Sequence, residues 1–338
     1  MKYNKTYKSS GYFCNSANQK LRKKEFIISK LKIGEVIIKV KYCGLCQSDL
    51  NLIHEKWKFA KFPFVPGHEI IGTIIAKSND VKRLTIGERV AVGWFSKFCN
   101  KCQQCLKKNE NMCRNYELTC VGRNGGFADY VKTDQSSVFK VPKKISSKHL
   151  APLTCAGWTV FGALTSFNIK KNSKVAILGI GGLGHLAIQF GYKMNFEITA
   201  ITTSKNKISD CKKFGAKYVM DIKNFYEKKD SYDFILVTAK ADYDWRSVIK
   251  TLNFDGTICF ISRPDKLIEF DIFDIMYKRA KITASPGASK LSMQKMFDFA
   301  AKNKIKPSIE VYNLSKINNT IQKLKNRKIK YRAVLKVS

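Results

Sequence analysis

The sequence is short of acidic residues. Its 338 residues include 26 Asp and Glu against 62 Lys and Arg, and the formal net charge is +36. Such an imbalance can indicate binding to nucleic acid or to an anionic membrane surface. Here the lysines are spread along the whole chain, without an aromatic-interleaved patch or a basic tail. We therefore expect no nucleic-acid partner and interpret the charge as a solvated, Lys-rich surface, whose field would attract anionic ligands such as a phosphorylated cofactor.

Long apolar runs are also absent. No stretch approaches the ~18 apolar residues of a membrane-spanning helix, and residues 1–11 are polar and basic, unlike a secretory signal. We expect a cytoplasmic protein with no membrane partner. Hydrophobic residues still make up 44% of the chain and aromatic residues 12%, so the chain is globular. Its length allows two domains.

Histidine is scarce, with four residues, whereas cysteine is frequent, with 11. The odd count and the lack of an export signal favour reduced thiols and metal binding over disulfides. Four thiolates complete a tetrahedral Zn²⁺ site and leave no open position. One cluster has the spacing C-x2-C-x2-C-x7-C and consists of Cys99, Cys102, Cys105 and Cys113. It therefore predicts a structural zinc site, and disulfide bonds are the alternative.

The chain before residue 150 is dominated by strand patterns, with Gly and Pro at the corners. Runs rich in β-branched residues predict strands, and they predict an irregular, β-barrel-like domain over residues 1–151 that carries the cysteine lobe at 93–115. The predicted strands are 35–42, 69–75, 87–92 and 127–131. Residues 1–34 have little pattern.

After residue 150 short apolar strands alternate with helical stretches, which is typical of a doubly wound parallel sheet. We assign residues 152–288 to this α/β domain. Residues 289–338 break the alternation, so we expect them to return to the first domain. The predicted strands are 173–178, 197–202, 217–220, 232–237, 256–261 and 281–285, followed in the returning segment by 308–312 and 330–337.

A glycine motif lies between the first strand and the first helix of the α/β domain. Gly179-x-Gly181-x-x-Gly184 has the spacing of the dinucleotide-binding fingerprint. The first glycine allows a tight turn, the second lets the backbone approach a pyrophosphate, and the third lets the helix pack on the strand. The helix N-terminus then faces the phosphates, so we predict a dinucleotide cofactor.

The end of the next strand bears on which dinucleotide binds. NAD enzymes place Asp or Glu there, on the ribose hydroxyls, but residues 200–207 contain no acid. Thr203, Ser204 and Lys207 supply the hydroxyls and positive charge that suit a 2′-phosphate. We favour NADPH and NADP⁺. NAD remains the alternative, because Ser and Thr are also ordinary residues at a helix start.

A second zinc site can be written from Cys46, His68 and Cys155. Catalytic zinc takes three protein ligands and keeps one position open, and two Cys with one His is a known set. His68 stands in Pro-Gly-His-Glu, downstream of Cys46 and Asp49. Cys155 has a competing interpretation as a small buried hydrophobic residue.

These segments together resemble the zinc-dependent medium-chain dehydrogenases/reductases, in the cinnamyl alcohol dehydrogenase branch, and look closest to bacterial broad-range NADPH-dependent aldehyde reductases. The resemblance covers nearly the whole chain. It is carried by C-G-L-C-Q-S-D-L at 43–50, P-G-H-E at 66–69, the four-Cys lobe, G-G-F-A-D-Y at 125–130, A-P-L-T-C-A-G at 151–157, G-I-G-G-L-G-H at 179–185 and Y-R-A-V-L-K at 331–336.

The resemblance implies a GroES-like catalytic domain around a Rossmann domain, two zinc ions per chain and a homodimer. It implies that Cys46, His68 and Cys155 hold the catalytic zinc, that Ser48 passes the proton, and that Glu69 approaches the metal. Asp49 would orient the zinc-bound His, as ligating imidazoles need. The implied cofactor contacts are Gln47, Gly179, Gly181, Gly182, Leu183, Gly184, Thr203, Ser204 and Lys207. The implied reaction is hydride transfer between NADP(H) and a primary alcohol or aldehyde.

Two residues depart from the family pattern. Gln47 stands where the family usually has a His that reaches the cofactor pyrophosphate, and Gln brings no charge. Asn51 stands where many members have the outer His of the proton relay. We place Trp57 and Trp94 in an apolar substrate pocket, with ordinary core packing as an equal alternative. Other substrates, such as polyols or aromatic alcohols, a zinc-free quinone reductase, and a basic zinc-lobe protein that binds nucleic acid are the competing functions.

Overall fold

The computed structural model describes residues 6–338 and divides the chain into two compact units. The first unit runs up to Cys155 and resumes with Ser289–Ala301 and Pro307–Ser338. The second unit comprises Ala156–Ala288 and Lys302–Lys306. The first unit is therefore built from separated parts of the sequence, and the second lies between them in the chain order.

The strands and helices are numbered in chain order. The strands are β1 (Tyr7–Phe13), β2 (Arg22–Ile28), β3 (Glu35–Leu45), β4 (Glu69–Lys77), β5 (Arg89–Val92), β6 (Phe95–Lys97), β7 (Glu117–Leu118), β8 (Tyr130–Asp134), β9 (Val138–Lys140), β10 (Lys174–Leu178), β11 (Glu197–Ile201), β12 (Tyr218–Met220), β13 (Tyr232–Val237), β14 (Leu252–Phe260), β15 (Lys281–Ala284), β16 (Ile309–Asn313) and β17 (Arg332–Lys336). The helices are α1 (Gln47–Ile53), α2 (Gln103–Leu106), α3 (Ser147–Pro152), α4 (Trp158–Thr165), α5 (Gly184–Lys193), α6 (Ile208–Phe214), α7 (Ile222–Tyr226), α8 (Trp245–Lys250), α9 (Ile272–Lys278), α10 (Lys290–Lys302) and α11 (Ile317–Lys325).

A seven-stranded sheet with the order β16-β17-β3-β4-β5-β9 organises the first unit, and β8 pairs with β3 beside this path. Strand β3 shows why the sheet forms here. Its side chains alternate between the two faces, so Val36, Ile38 and Val40 enter the main core, whereas Ile37 packs with Ile28 on the other face. A strand buried on both faces lies at the centre of its domain.

The C-terminal segment completes this sheet. Strand β17 pairs antiparallel with β3, from Ala333 opposite Leu45 to Lys336 opposite Tyr42, and β16 pairs parallel with β17. The chain thus returns to the first unit after the α/β region.

The second unit contains a six-stranded parallel sheet with the order β12-β11-β10-β13-β14-β15. In chain order this is 3-2-1-4-5-6, the strand order of the Rossmann fold. Its central strand β10 is apolar and buried from Val175 to Leu178, because helices cover both faces of a parallel sheet. The predicted α/β class with a doubly wound parallel sheet is confirmed.

One local prediction was wrong. The strand expected at residues 127–131 begins only at Tyr130, because the amides of Gly126 and Phe127 donate to the carbonyls of Gly67 and Pro66 instead of entering the sheet. Within residues 6–34, for which the pattern gave no prediction, β1 and β2 form an antiparallel hairpin.

Candidate active site and zinc centre

Cys46 lies where β3 ends and α1 begins. Its backbone amide donates to the Asp49 carboxylate at 2.9 Å, in the manner of a reciprocal helix cap. The same carboxylate accepts from the amide of Gly67 at 3.1 Å. Asp49 is fully buried, so it joins the start of α1 to the loop before β4.

His68 enters the site from that loop. Its Nδ1 lies 2.9 Å from Asp49 Oδ1, and both side chains are fully buried. A carboxylate on Nδ1 fixes the ring orientation and leaves the Nε2 lone pair for another partner. His68 Nε2 is buried and has no hydrogen-bond partner. An orphaned, oriented imidazole nitrogen of this kind suits a metal ion.

Cys155 reaches the same place from a π-helical turn, Leu153–Gly157, between α3 and α4. Such single-turn widenings are frequent at functional sites. Its sulfur lies 4.0 Å from that of Cys46. One ligand atom from each of Cys46, His68, Glu69 and Cys155 lies within 4.8 Å of the others. Two thiols and an imidazole around one point fit zinc, whereas Cys43 points its thiol at its own neighbour's carbonyl.

The groups around Cys46 stabilise the thiolate form of its side chain. The pKa of Cys46 lies well below its usual range, because the Cys155 thiol donates to its sulfur and His68 stabilises the negative charge. Burial opposes the charged form of His68, but the Asp49 carboxylate outweighs burial and raises the His68 pKa. Negative charge is therefore concentrated on Cys46 and Asp49, on the two sides of the His68 ring.

Glu69 forms a buried ion pair with Arg332 of β17. Burial raises the pKa of Glu69 to about 7, against the opposing charge of Arg332. The second carboxylate oxygen of Glu69 has no partner, and a Cβ on Gly44 would lie 1.9 Å from it. The sequence reasoning gave Arg332 no role. The one available signal was a charged residue at the start of the terminal strand, directly before the apolar run Ala333–Leu335.

The other residues expected near the reacting atoms are at the start of α1. The Ser48 hydroxyl lies 3.8 Å from the Cys46 sulfur and the side chain is half-buried. Gln47 is exposed, and its amide donates to the Asn51 side chain at 3.4 Å. Ser48 is thus beside the cluster, and Gln47 and Asn51 contact each other.

Two tryptophans extend from the cluster. The Trp94 ring stands edge-on to His68, with 4.9 Å between ring centroids, and Trp57 meets Trp94 at 5.7 Å. Both tryptophans are half-buried. They form an apolar wall next to the buried imidazole, although they also pack against the main core of the unit.

The four cysteines of the lobe converge as a second cluster. Their sulfurs all lie within 4.8 Å of one another. Backbone amides that donate to Cys99 lower its pKa to about 6, so its thiolate exists at neutral pH. All eleven cysteines are free thiols. The donor set fits a closed tetrahedral zinc site formed by Cys99, Cys102, Cys105 and Cys113.

The glycine loop follows β10 in the second unit. Gly179 has φ +89°, and a Cβ there would lie 2.3 Å from Ala239. A Cβ on Gly184 would lie 2.1 Å from the Gly179 carbonyl, so α5 packs directly on the loop. Gly181 has open space beside its Cα, and the backbone can receive a ligand there. Gly182 and Leu183 continue the loop, half-buried.

The end of β11 lies beside this loop. Lys207 donates to the carbonyl of Ile180 at 2.9 Å, which holds the lysine over the glycines. The Ser204 amide donates to the Thr202 hydroxyl at 3.2 Å, and Thr203 is exposed. The loop and the candidate phosphate contacts are therefore brought together within one unit.

Two family models match the chain. "Alcohol dehydrogenase GroES-like domain" matches residues 32–143, and "Zinc-binding dehydrogenase" matches residues 182–302. The aldehyde reductase AdhA of Synechocystis is 37% identical over 327 residues, which cover 96% of this chain and 97% of that protein. The chain belongs to the zinc-dependent medium-chain dehydrogenase/reductase family, and it is an enzyme of the alcohol dehydrogenase and aldehyde reductase class.

Solved structures agree with this assignment. A cinnamyl alcohol dehydrogenase from Sorghum bicolor superposes with a TM-score of 0.91 at 27% identity, covering 98% of both chains. CAD from Helicobacter pylori, complexed with NADP(H), gives a TM-score of 0.91 at 27% identity, covering 98% of this chain and 99% of that one. The GroES-like and Rossmann architecture expected from the sequence is confirmed. Within residues 6–338 no helix is long and apolar enough to cross a membrane.

Proposed function

We propose that this chain is an NADP(H)-dependent zinc alcohol dehydrogenase that interconverts aldehydes and primary alcohols. One observation carries the proposal: the buried, unpartnered Nε2 of His68, oriented by Asp49, faces the thiols of Cys46 and Cys155. Two thiols and one imidazole leave the open position that a catalytic zinc needs.

Cys46, His68 and Cys155 would hold the catalytic zinc, and the four lobe cysteines the structural one. A bound zinc supplies a Lewis acid that polarises a carbonyl or lowers the pKa of an alcohol. Asp49 keeps His68 in the Nδ1–H tautomer, so that Nε2 points at the metal position. Glu69 keeps one oxygen free beside the ligands while Arg332 holds the other.

Ser48 is the residue we assign to proton transfer. Its hydroxyl is next to the Cys46 sulfur and half-exposed, so it can exchange a proton with solvent while touching the substrate oxygen. Asn51 cannot titrate, and the relay therefore ends on water or on cofactor hydroxyls. Trp57 and Trp94 would exclude water from the substrate carbon.

The cofactor would supply the hydride. We assign the pyrophosphate to the backbone of Gly179, Gly181, Gly182, Leu183 and Gly184, with Gln47 as a further contact. The 2′-phosphate would contact Thr203, Ser204 and Lys207. The Lys207 ammonium already donates to a carbonyl of the glycine loop, and no acidic residue there would repel the phosphate. Support comes from the NADP(H) complex of the Helicobacter pylori protein. A relative from Mycobacterium tuberculosis, 29% identical, is named an NADP-dependent alcohol dehydrogenase.

The domain assignment is part of this proposal. Residues 1–151 and 289–338 would form the catalytic domain, and residues 152–288 would bind the nucleotide. We also propose a cytoplasmic enzyme, since its eleven cysteines are free thiols and reduced thiols are typical of that compartment.

A panel of aliphatic aldehydes, aromatic aldehydes and polyols, assayed with NADPH and NADH, tests the function. We expect aldehyde reduction with NADPH preferred. The variant Thr203→Asp should shift the preference toward NADH, because a carboxylate repels the 2′-phosphate and accepts from ribose hydroxyls. A Thr203→Val control removes the hydroxyl without adding charge. Equal use of both cofactors by the unmodified enzyme would contradict the NADP assignment, and oxidation of polyols alone would redirect the substrate class.

We further propose that two copies pair through the second unit. Strand β15 is at the edge of its sheet, and an edge strand offers unpaired backbone groups. Helix α9, which precedes β15 in the chain and packs against β14, exposes four large apolar side chains at 62–66%: Ile272, Phe273, Met276 and Tyr277. Phe254 of β14 adds a further exposed ring, 5.7 Å from Tyr277. Identical edges can pair about a two-fold axis, so a second copy suits this surface.

Light scattering after gel filtration tests the dimer. We expect two chains per particle, and one chain for the double variant Phe273→Lys/Met276→Lys. Ile33→Lys, on an apolar side chain of the first unit that is 86% exposed, is the control and should remain dimeric. A monomeric unmodified protein would contradict the proposal.

A further inference from the structure

A concave region of the first unit collects positive charge away from the zinc ligands. It has a volume of about 290 Å³ and opens widely to solvent. Three cations and three hydroxyl groups line it, and no acidic residue does: Lys41, Tyr42, Arg89, Ser146, Ser147 and Lys148. The cavity is therefore larger than a single small ion and carries three formal positive charges.

The backbone directs these side chains into the cavity. In the pairing of β3 with β4, Val40 is opposite Gly72 and Tyr42 is opposite Ile71. Lys41 has no counterpart, so it is the extra residue of a β-bulge. Bulges redirect side chains and are frequent next to functional sites. The bulge separates Lys41 from the regular alternation of β3.

Arg89 is anchored rather than free. Its guanidinium donates to the carbonyl of Pro142 at 2.6 Å and to the Ser147 hydroxyl at 3.4 Å. Burial lowers its pKa, since the charge is partly removed from water. Across residues 6–338 no carboxylate lies within ion-pair distance of Arg89, Lys41 or Lys148. A partly buried guanidinium without an anionic partner is an unsatisfied charge.

We propose that this cavity binds a small ligand bearing two or more phosphate groups. An anchored Arg offers a planar set of donors to phosphate oxygens, and lysines add mobile charge around it. The hydroxyls of Tyr42 and Ser147 can donate to further oxygens, whereas the Ser146 hydroxyl is already hydrogen-bonded to His149 Nδ1 at 2.8 Å. The size of the cavity and its three charges exceed what one phosphate requires, and they match a chain of phosphates or a bisphosphorylated metabolite.

No residue that lines the cavity is among the proposed cofactor contacts. The position of the cavity also predicts that a bound ligand stabilises the fold. Strand β3 continues from Tyr42 to Leu45, directly before Cys46, and α3 continues from Lys148 to Pro152, shortly before Cys155. A ligand held between these two elements would join the segments that present both thiols, and should therefore raise the thermal midpoint of the folded protein.

Isothermal titration with inorganic tripolyphosphate tests the proposal, in the presence of saturating NADP⁺. We expect one site per chain and a rise in the thermal midpoint. Affinity should fall at least tenfold in Lys41→Gln/Lys148→Gln, two exposed positions whose change should not disturb folding. The control Lys23→Gln/Lys30→Gln removes the same charge from other exposed positions and should bind like the unmodified protein.

Further arms separate the sources of the anion. Tighter binding of a sugar bisphosphate than of tripolyphosphate would support the proposal and identify a metabolite, whereas inorganic phosphate should bind weakly. Equal losses in the test and control variants would overturn the proposal in favour of diffuse surface charge. Loss of binding when NADP⁺ is added would assign the anion to the glycine loop. Tight binding of a single-stranded oligonucleotide that tripolyphosphate does not displace would make the cavity part of a nucleic-acid surface.

Discussion

The two cysteine clusters of the first unit are opposites in how they are built. The lobe takes four thiols from fifteen consecutive residues, 99–113, whereas the other cluster takes Cys46, His68 and Cys155 from segments up to 109 positions apart. The lobe cysteines form hydrogen bonds with one another and with a backbone amide, whereas His68 Nδ1 is hydrogen-bonded to the Asp49 carboxylate. A locally closed cluster suits a structural metal, and a long-range, incomplete cluster suits chemistry.

We call Cys46, His68 and Cys155 the open cluster and the four lobe cysteines the closed cluster. The largest effect is expected from removing one ligand of the open cluster. His68→Ala should lower the zinc content from two ions per chain to one and reduce aldehyde turnover by about 10³-fold or more, since a Lewis acid contributes several kcal/mol and each ~1.4 kcal/mol is tenfold. Elemental analysis and steady-state kinetics measure both. His54→Ala, outside the cluster, should keep two zinc ions. A His68→Ala protein with two ions and normal turnover would remove the distinction between the clusters.

Removing one ligand of the closed cluster should act on stability instead. Cys102→Ser should also lose one zinc ion, and its thermal midpoint should fall by about 5 °C or more, because metal binding energy is folding energy for such a lobe. Calorimetry with metal analysis measures this, and Lys101→Ser is the neighbouring control. Unchanged stability with one zinc lost would mean that the lobe does not depend on metal.

A third change acts on the reaction without removing a ligand from either cluster. Ser48→Ala should slow turnover by about 10²-fold, at the lower end for general acid–base residues, because solvent can partly replace its hydroxyl. NADPH affinity and zinc content should stay the same. Ser48→Thr keeps the hydroxyl and should restore most of the rate. Full activity in Ser48→Ala would move proton transfer to water.

The smallest effect is expected behind the open cluster. Asp49→Asn keeps an acceptor for His68 but loses the negative charge, and such outer partners typically change metal affinity or activity by about 10–100-fold. Competition with a chelator measures the zinc affinity of each site. The control is Asp129→Asn. The Asp129 carboxylate accepts from the Ser10 amide at 2.7 Å and belongs to neither cluster. Equal zinc retention in both variants would show that Asp49 only supports the fold.

The contrast between the clusters also explains what the sequence could predict. Spacing alone brings the lobe cysteines together, and the strand–glycine–helix order locates the cofactor loop, since both features are local. Cys155 was a candidate ligand with burial as a small hydrophobic residue as its competing interpretation, and only the resemblance favoured ligation, because no spacing rule connects Cys155 to Cys46. Arg332 was missed for the same reason: its partner Glu69 is 263 positions away. Zinc ligation and the NADP contacts remain predictions, whereas the fold class and the family are established.

The boundaries of strands and helices were likewise predicted well where local sequence determines them and poorly where distant contacts do. Strand β13 was predicted with its observed ends, since it is a short apolar run in a parallel sheet. Strand β8 was placed too early, because the hydrogen bonds of Gly126 and Phe127 go to a distant loop, and the residue pattern carries no trace of that loop.

The pairing of β17 with β3 has a consequence for how the protein is made. During translation the ribosome synthesises the whole of the second unit before it adds Arg332–Lys336. Domains generally fold as units as they emerge, so the Rossmann unit can form while β3 still lacks a neighbour and Glu69 still lacks its arginine. The nascent catalytic unit must wait with an open sheet edge and an unpaired buried acid, which makes this interval the one in which chaperones have the most to protect.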